Sequence, residues 1–175
     1  AGDFFGNSGA ISGTVAIVGA YGDDDNGSDS GSAYLYCECL VESYCVTSPN
    51  SAGAGAVMGV TGSAFISQND LVLVALSCPA SQFGIFYYGT GQAQVSFGNG
   101  YRCVSPGGVG LYRFPPVSTG SLGQASYAVD NTNPPQPSGQ ITAGSTWNFQ
   151  FWYRDPAAGG AYFNLSDGLE VTFCP

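Results

Sequence analysis

Short strand-like segments separated by glycine and proline run through this chain and exclude most helical folds. Its 175 residues include 27 glycines and 10 prolines, and no stretch repeats apolar residues at the helical period of about 3.6. The clearest pattern is an alternation that puts four aromatic side chains on one face of a strand: Trp147, Phe149, Phe151 and Tyr153. We therefore expect an all-β protein with that face in the core.

Further segments of this kind follow one another over residues 57–175. The predicted strands are 70–76, 83–88, 92–97, 109–114, 121–129, 139–142, 145–154 and 168–173. We expect the first three of them to form consecutive hairpins. In the last one Leu169, Val171 and Phe173 alternate with polar residues, which again predicts a core face. The pattern favours a two-sheet, jelly-roll-like β-sandwich.

The amino-terminal residues 1–45 form a separate β segment. Its runs Phe4-Phe5-Gly6-Asn7-Ser8, 10–20 and 31–36, with an acidic loop before the last run, resemble an FG-GAP repeat, which forms one β-propeller blade in other proteins. Closed propellers need roughly four to eight blades, because each blade buries its faces against its neighbours. A single copy is unfinished, so either the chain is a piece of something longer or another chain completes the packing. Residues 46–56 are expected to be a linker or an irregular lead-in.

The remaining residues carry a second resemblance. Segments 78–86, 97–104, 147–156 and 163–168 are similar to a carboxy-terminal domain of large secreted bacterial proteins that often carry FG-GAP or other repeats upstream. The similarity spans residues 45–175. It implies an extracellular location and no activity.

Charge and composition exclude several classes of partner. The chain has no histidine or lysine, three arginines and twelve acids, giving a formal charge of −9, so nucleic acid and anionic membranes would be repelled. Charged residues make up 9%, against about 25% in average soluble domains, which suits packing against copies of itself. The longest apolar stretch, 71–76, is far shorter than the ~20 residues of a membrane-spanning helix, so we expect no membrane insertion.

Six cysteines predict disulfides and an oxidising, extracellular compartment: Cys37, Cys39, Cys45, Cys78, Cys103 and Cys174. Six cysteines allow 15 connectivities. Cys45 with Cys174, and Cys78 with Cys103, is the expected pairing, because the first bond would join the ends of the larger domain. Cys37 and Cys39 are expected to bond with each other or between subunits. The alternative is zinc held by the thiolates of Cys37, Cys39 and Cys45, for which no fourth ligand is evident.

The acidic loop 23–31 is the best candidate metal site. Carboxylate, amide and hydroxyl oxygens among glycines suit Ca²⁺, and the predicted ligands are Asp23, Asp25, Asn26 and Asp29. The loop lies later than the usual FG-GAP calcium loop and misses the EF-hand spacing. A solvated turn is therefore the alternative.

Catalysis is not expected. A serine or cysteine triad needs a histidine-like base, which this chain lacks. Two-carboxylate glycoside chemistry would have to use residues that no motif groups: Asp130, Asp155, Asp167 and Glu170.

The predicted function is that of an extracellular structural protein. It would be a subunit of a self-assembling filament or surface layer, held by inter-subunit β contacts and disulfides. The predicted interface residues are Phe4, Phe5, Tyr34, Tyr36 and Trp152. The alternative is a cell-surface adhesin or carbohydrate-binding module with a polysaccharide partner, since exposed aromatic rings stack on sugars. Alternation places Trp152 opposite the core face, so its exposure in an isolated subunit would mark a binding patch.

Overall fold

The computed structural model describes residues 3–12, 15–28, 30–37 and 39–175, with the backbone alone at Cys37. These residues form fourteen β-strands and two short 3-10 helices, which confirms the all-β class. They fall into two compact units, the first ending at Cys39 and the second spanning Leu40–Pro175. No helix within the described ranges has the length and hydropathy to cross a membrane.

The strands have the following bounds. The first unit contains β1 (Phe5–Ser12), β2 (Val15–Ala20) and β3 (Ser32–Cys37). The second unit contains β4 (Val41–Tyr44), β5 (Val57–Thr61), β6 (Val72–Leu76), β7 (Phe83–Gly89), β8 (Gly91–Phe97), β9 (Gly100–Ser105), β10 (Tyr112–Arg113), β11 (Val117–Ser118), β12 (Ala125–Ala128), β13 (Thr146–Arg154) and β14 (Phe163–Thr172). The 3-10 helices are Pro137–Gly139 and Pro156–Ala158.

The first unit is a single antiparallel sheet in the order β1-β2-β3. A register shift between Phe5 and Ser8 marks a bulge, which Gly6 accommodates with a φ of +86°. Every residue of β1 is exposed. Among the residues described in this unit, only Ala20, Gly22 and Asp23 are buried. The sheet therefore has almost no core of its own.

The second unit is built on a six-stranded antiparallel sheet in the order β10-β7-β13-β14-β4, with β11 also paired to β7. β13 lies at its centre. The predicted core face is confirmed, because its four aromatic residues are each at most 4% exposed: Trp147, Phe149, Phe151 and Tyr153. The core face predicted for β14 is confirmed too, by the burial of Leu169, Val171 and Phe173.

The opposite face of β13 is also buried. Asn148 and Gln150, which alternation places away from the aromatic face, are 2% and 0% exposed. The two-stranded β8–β9 hairpin covers them, and Gln150 Nε2 donates to the carbonyl of Tyr101 in β9 at 2.8 Å. The central sheet is therefore enclosed from both sides.

A third sheet, β12-β6-β5, adjoins the aromatic side of the central sheet. The Phe114 ring bridges the two sheets by stacking on Tyr88 of β7 at 4.9 Å and on Tyr127 of β12 at 4.5 Å between ring centroids. Several antiparallel sheets that do not close into a barrel are consistent with the predicted sandwich.

Two predicted local features are wrong. The segments 70–76, 83–88 and 92–97 do not form consecutive hairpins, because β6 pairs with β5 and β12, β7 with β13, and β8 with β9. A Cβ at Gly89 or Gly91 would collide with Ser105 of β9. These glycines therefore allow the chain to pass close to β9 as it leaves one sheet and enters another. The segment 139–142 is the end of a 3-10 helix followed by irregular chain.

Residues 46–56 form the irregular lead-in rather than a free linker. Asn50 Nδ2 donates to the Tyr153 hydroxyl at 3.0 Å, the Ser51 amide donates to Asp155 Oδ2 at 3.0 Å, and Ala56 is fully buried. β4, assigned by sequence to residues 1–45, pairs with β14 in the second unit. The division between the units consequently falls after Cys39.

The expected disulfide pairing is wrong. Cys45 bonds to Cys103, with 6.1 Å between their Cα atoms, and Cys78 is a buried free thiol. Cys45 cannot reach Cys174, because Tyr44 pairs with Gly168 and Cys174 lies six residues farther along, at roughly 3.3 Å per residue.

The other expected bond fails because its cysteines lie on opposite sides of the central sheet. The Cys103 amide donates to Gln150 Oε1 at 2.8 Å on the β9 side. Cys78 lies near Tyr153 on the aromatic side. Burial is the main cause that raises the pKa of Tyr153 to about 12, and Cys78 makes a smaller contribution in the same direction.

Cys39 and Cys174 are also disulfide-bonded, and the Cys37 side chain lies outside the described residues. With Cys39 and Cys45 both in disulfides, the zinc alternative loses two of its three thiolates.

Candidate functional site

Both faces of the first unit's sheet carry exposed apolar side chains. Residues directly opposite in antiparallel strands share a face, and the register places Gly9, Val18 and Tyr34 together, and likewise Ile11, Ala16 and Tyr36. We name this the aromatic face, defined by Phe5, Ile11, Val18, Tyr34 and Tyr36. Ile11 is 81% exposed.

The other side of the sheet is defined by Ala10, Ile17 and Leu35, which lie opposite one another in the register, and is named the aliphatic face. Ile17 is 44% and Leu35 61% exposed. A blade between two neighbours needs apolar side chains on both faces, which is the pattern observed here.

The predicted interface aromatics of this unit lie at the surface. Phe4 stacks on Tyr21 with 4.7 Å between ring centroids, and Phe5 meets Tyr34 edge to face at 5.3 Å. Phe4 and Phe5 remain 57% exposed, and Tyr36 is 51% exposed. These contacts group the rings without burying them.

The acidic loop is organised around Asp23, which is 5% exposed. Its Oδ2 accepts a 2.6 Å hydrogen bond from the Tyr34 hydroxyl, and its Oδ1 accepts one from the Asp25 amide at 3.1 Å. These bonds, led by the one from Tyr34 and joined by one from the Ser32 side chain, hold the pKa of Asp23 below its usual value. The same bond raises the pKa of Tyr34. Asp23 therefore ties the loop to β3.

The described part of the loop does not assemble a cluster of acidic ligands. No group of three or more histidine, cysteine or acidic residues suited to a metal occurs among the residues that the structure describes. Asp23 turns inward, Asp25 and Asn26 are exposed, and Asp29 lies outside the described residues. Calcium binding stays a prediction, and it would depend more on Asp25 and Asn26 than on Asp23.

The carboxylates considered for catalysis accept hydrogen bonds from their own fold. Asp155, which is fully buried, accepts hydrogen bonds from the Ser51 amide and the Ser51 hydroxyl. Asp167 accepts the Met58 amide at 2.6 Å, and burial raises its pKa. Asp130 accepts the Thr132 amide at 2.9 Å. Each of these three carboxylates thus anchors a loop or strand end.

A cavity of about 280 Å³ lies between the central sheet and the β8–β9 hairpin. Its floor is a row of cross-strand neighbours, Ile85 in β7, Trp152 in β13 and Leu165 in β14. The other lining residues are Tyr87, Phe97, Arg102, Leu111 and Arg113. Two of the three arginines in the chain therefore line one mainly apolar cavity.

Buried Gln150 sets the spacing between the hairpin and this floor. Its Oε1 accepts hydrogen bonds from the Tyr87 hydroxyl and the Cys103 amide, and its Nε2 donates to the Tyr101 and Ser166 carbonyls at 2.8 and 2.7 Å. All four bonds cross between strands. Sequence reasoning missed this residue, because a polar side chain at an alternating position normally faces water.

Trp152 is half-buried rather than fully exposed. Its ring packs on Phe163 with 5.5 Å between centroids, and Phe163 in turn meets Phe97 at 5.2 Å. Trp152 and Phe97 thus both line the cavity and both contact Phe163, and Phe97 is 47% exposed.

The comparisons with known proteins agree with the blade-like first unit. The FG-GAP repeat family model matches residues 1–36, about a fifth of the chain. Neither the curated proteins nor the solved structures contain a match. FG-GAP repeats and disulfides are typical of extracellular or cell-surface proteins, and this chain has disulfides and a segment similar to that repeat.

Proposed function

We propose that this chain is a non-catalytic, extracellular structural protein, a subunit that assembles with copies of itself into a filament or surface layer. The observation that carries the proposal is the first unit's sheet, which has exposed apolar side chains on both faces. Burying a large apolar side chain contributes about 1.5–3 kcal/mol, so covering both faces strongly favours association.

The sheet edges support the same function. Within the described residues β1 and β3 each pair only with β2. Neither strand contains a charged residue or a proline, which are the usual means of keeping edge strands from pairing with other chains. Strand addition to these edges is the proposed mode of contact.

A second copy is the occupant that the charge distribution favours. The stretches 4–22 and 30–37 contain no charged residue, so two copies do not repel one another across these faces despite the net charge of −9. Contact between different faces or edges of successive copies is heterologous. Such contacts build an open filament unless the rotation between successive copies closes a ring. A neighbouring repeat in a longer polypeptide would give the same cover, and the purified chain would then remain monomeric.

The test compares two equally exposed apolar residues. Ile11 is 81% exposed on the aromatic face, and Leu122 is 80% exposed in the second unit. We expect the purified protein to form polymers by light scattering and negative-stain electron microscopy. Ile11→Glu should dissociate them, and Leu122→Glu should not. A monomeric wild-type protein, or equal effects of both substitutions, would contradict the proposal.

A disulfide between subunits is part of the proposal, and Cys37 is its candidate. Cys39, Cys45, Cys103 and Cys174 are disulfide-bonded, and Cys78 is buried. Non-reducing gels should therefore show covalent dimers that Cys37→Ser abolishes. Polymers that show no covalent dimer on these gels would contradict the disulfide between subunits and leave the sheet contacts as the proposed mode of assembly.

A second candidate function is adhesion through carbohydrate binding by the second unit. The cavity beside Trp152 favours it. The resemblance of residues 45–175 to a carboxy-terminal domain of secreted bacterial proteins agrees with a surface location. Glycan-array binding by the purified protein tests this function, and binding that survives Ile11→Glu would separate it from assembly.

A further inference from the structure

The cavity between the central sheet and the β8–β9 hairpin combines apolar walls with unusual charge. The molecule has three arginines against twelve acids, yet Arg102 and Arg113 both line this one cavity. The third, Arg154, is exposed and is not among the lining residues. A cavity wall with two cations in a strongly acidic protein is suited to an anion.

The arginines approach the cavity from opposite walls. Arg102 lies on β9, where it pairs with Val95 of β8, and Arg113 lies on β10, where it pairs with Tyr87 of β7. Burial is the main cause that raises the pKa of the Tyr87 hydroxyl. The guanidinium groups of Arg102 and Arg113 both lower this pKa, so both lie within electrostatic range of the hydroxyl. Both arginines and Tyr87 line the same cavity.

Arg102 has unused hydrogen-bonding capacity. Its Nε is buried and has no hydrogen-bond partner among the described residues. A buried donor of a charged group that lacks a hydrogen-bond partner is unfavourable. A carboxylate in the cavity would pair with the guanidinium groups that line it, since guanidinium groups bind carboxylates in a two-pronged geometry.

The volume and the aromatic wall limit the rest of the ligand. At about 280 Å³ the cavity lies at the small end of ligand sites, which suits one ring rather than a larger molecule. Trp152 and Phe97 offer aromatic surface to such a ring.

We propose that this cavity binds a six-membered ring carrying one carboxylate, with the carboxylate on Arg102 and Arg113 and the ring against Trp152. A uronic acid unit of an acidic polysaccharide and an aromatic carboxylate share this chemistry. The proposal names the ligand of the second candidate function and is independent of self-assembly. Glycan binding elsewhere on the surface would preserve that function and overturn this site.

The probes are glucuronate, benzoate and neutral glucose, titrated by calorimetry and by tryptophan fluorescence. Only Trp147, which is 4% exposed in the core, and Trp152 contribute fluorescence, so a change on binding reports mainly on the cavity. We expect glucuronate or benzoate to bind with a Kd of about 1 mM, as expected for a single small ring. The acid that binds more tightly shows whether the ligand is a uronic acid unit or an aromatic carboxylate. Glucose should bind at least about tenfold more weakly.

Substitutions with equal charge change provide the control. Arg113→Gln and Arg102→Gln should each raise the Kd about tenfold, because each removes a charged hydrogen-bonding group. Arg154→Gln, which lowers the net charge equally outside the cavity, should leave the Kd unchanged. Arg113 is exposed, so its variant is expected to fold, and a thermal melt checks each protein. Absence of binding by both acids, equal binding of glucose, or equal effects of the Arg113 and Arg154 variants would overturn the proposal.

Discussion

The two units of this molecule use similar residues with opposite results. In the second unit a strand such as β13 is enclosed from both sides, and Phe149, Phe151 and Tyr153 are fully buried. In the first unit every residue of β1 is exposed, although its sheet is also rich in aromatic and aliphatic residues. The difference lies in the number of layers, because one sheet has nothing of its own to pack against. Stability is therefore expected to reside in the second unit and association in the first.

The largest expected effect is the difference in packing between the two units. Phe151 is fully buried with its ring 4.4 Å from that of Phe86, whereas Ile11 is exposed. Phe151→Ala should lower the free energy of unfolding of the second unit by about 4 kcal/mol, and Ile11→Ala by under about 0.5 kcal/mol. Urea denaturation followed by far-ultraviolet circular dichroism measures both, because the two tryptophans lie in the second unit and report on it alone. Similar losses would mean that the first unit packs as tightly as the second.

The next effect concerns the buried polar layer of the second unit. Gln150→Leu leaves the Tyr87 hydroxyl, the Cys103 amide and two carbonyls without their partner, so the loss should be about 3 kcal/mol. Gln124→Leu at an exposed position is the matched control and should change stability by under about 0.5 kcal/mol. Equal urea midpoints for the two variants would show that Gln150 adds no net stability.

Carboxylates in the two units should respond to pH in opposite directions. Asp23 in the first unit has a lowered pKa, so its contribution is present above the unfolded value of 3.8 and is lost as pH falls through the folded pKa. Asp167 in the second unit has a pKa raised by burial, so its contribution is present below 3.8 and is lost as pH rises through the folded pKa.

Carboxyl NMR titration of the two residues checks these directions. Asp23→Asn and Asp167→Asn assign the resonances and should remove the corresponding pH dependence of stability. A midpoint for Asp23 above that for Asp167 would reverse the comparison.

Cys78 offers a smaller test of how tightly the second unit is closed. Burial raises the pKa of its thiol to about 12, so almost no thiolate exists near neutral pH. Iodoacetamide at pH 8 should leave Cys78 unmodified in the native protein and label it fully in urea, as measured by intact mass. Rapid labelling of the native protein would mean that the region around Cys78 opens readily.

The smallest expected effect is that of calcium, and it is confined to the first unit. Because Asp23 already accepts hydrogen bonds from Tyr34 and Asp25, added calcium should raise the thermal midpoint of this unit only slightly. Asp25→Asn should remove the increase. An identical midpoint in calcium and in chelator would exclude calcium binding by the loop.

Local pattern predicted the strands better than their partners. The alternation of β13 identified the aromatic core face, because large apolar side chains two residues apart need one buried side. Alternation by itself did not identify Gln150 as a buried residue, because a polar side chain opposite a core face normally meets water. The β8–β9 hairpin returns over this face and supplies backbone partners for the Gln150 amide. Strand 83–88 was likewise recognised, but the hairpins predicted for it were wrong, because β7 pairs with the distant strand β13.

The amino-acid order by itself determined an all-β chain, a blade-like start that an FG-GAP family model also matches, and an acidic surface. The tertiary structure alone decided that Cys45 bonds to Cys103, that Cys78 stays reduced and that Arg102 and Arg113 meet in one cavity. The physical reason is that periodicity and composition act over a few residues. Pairings between sheets depend on how distant strands pack, and no local pattern encodes that packing.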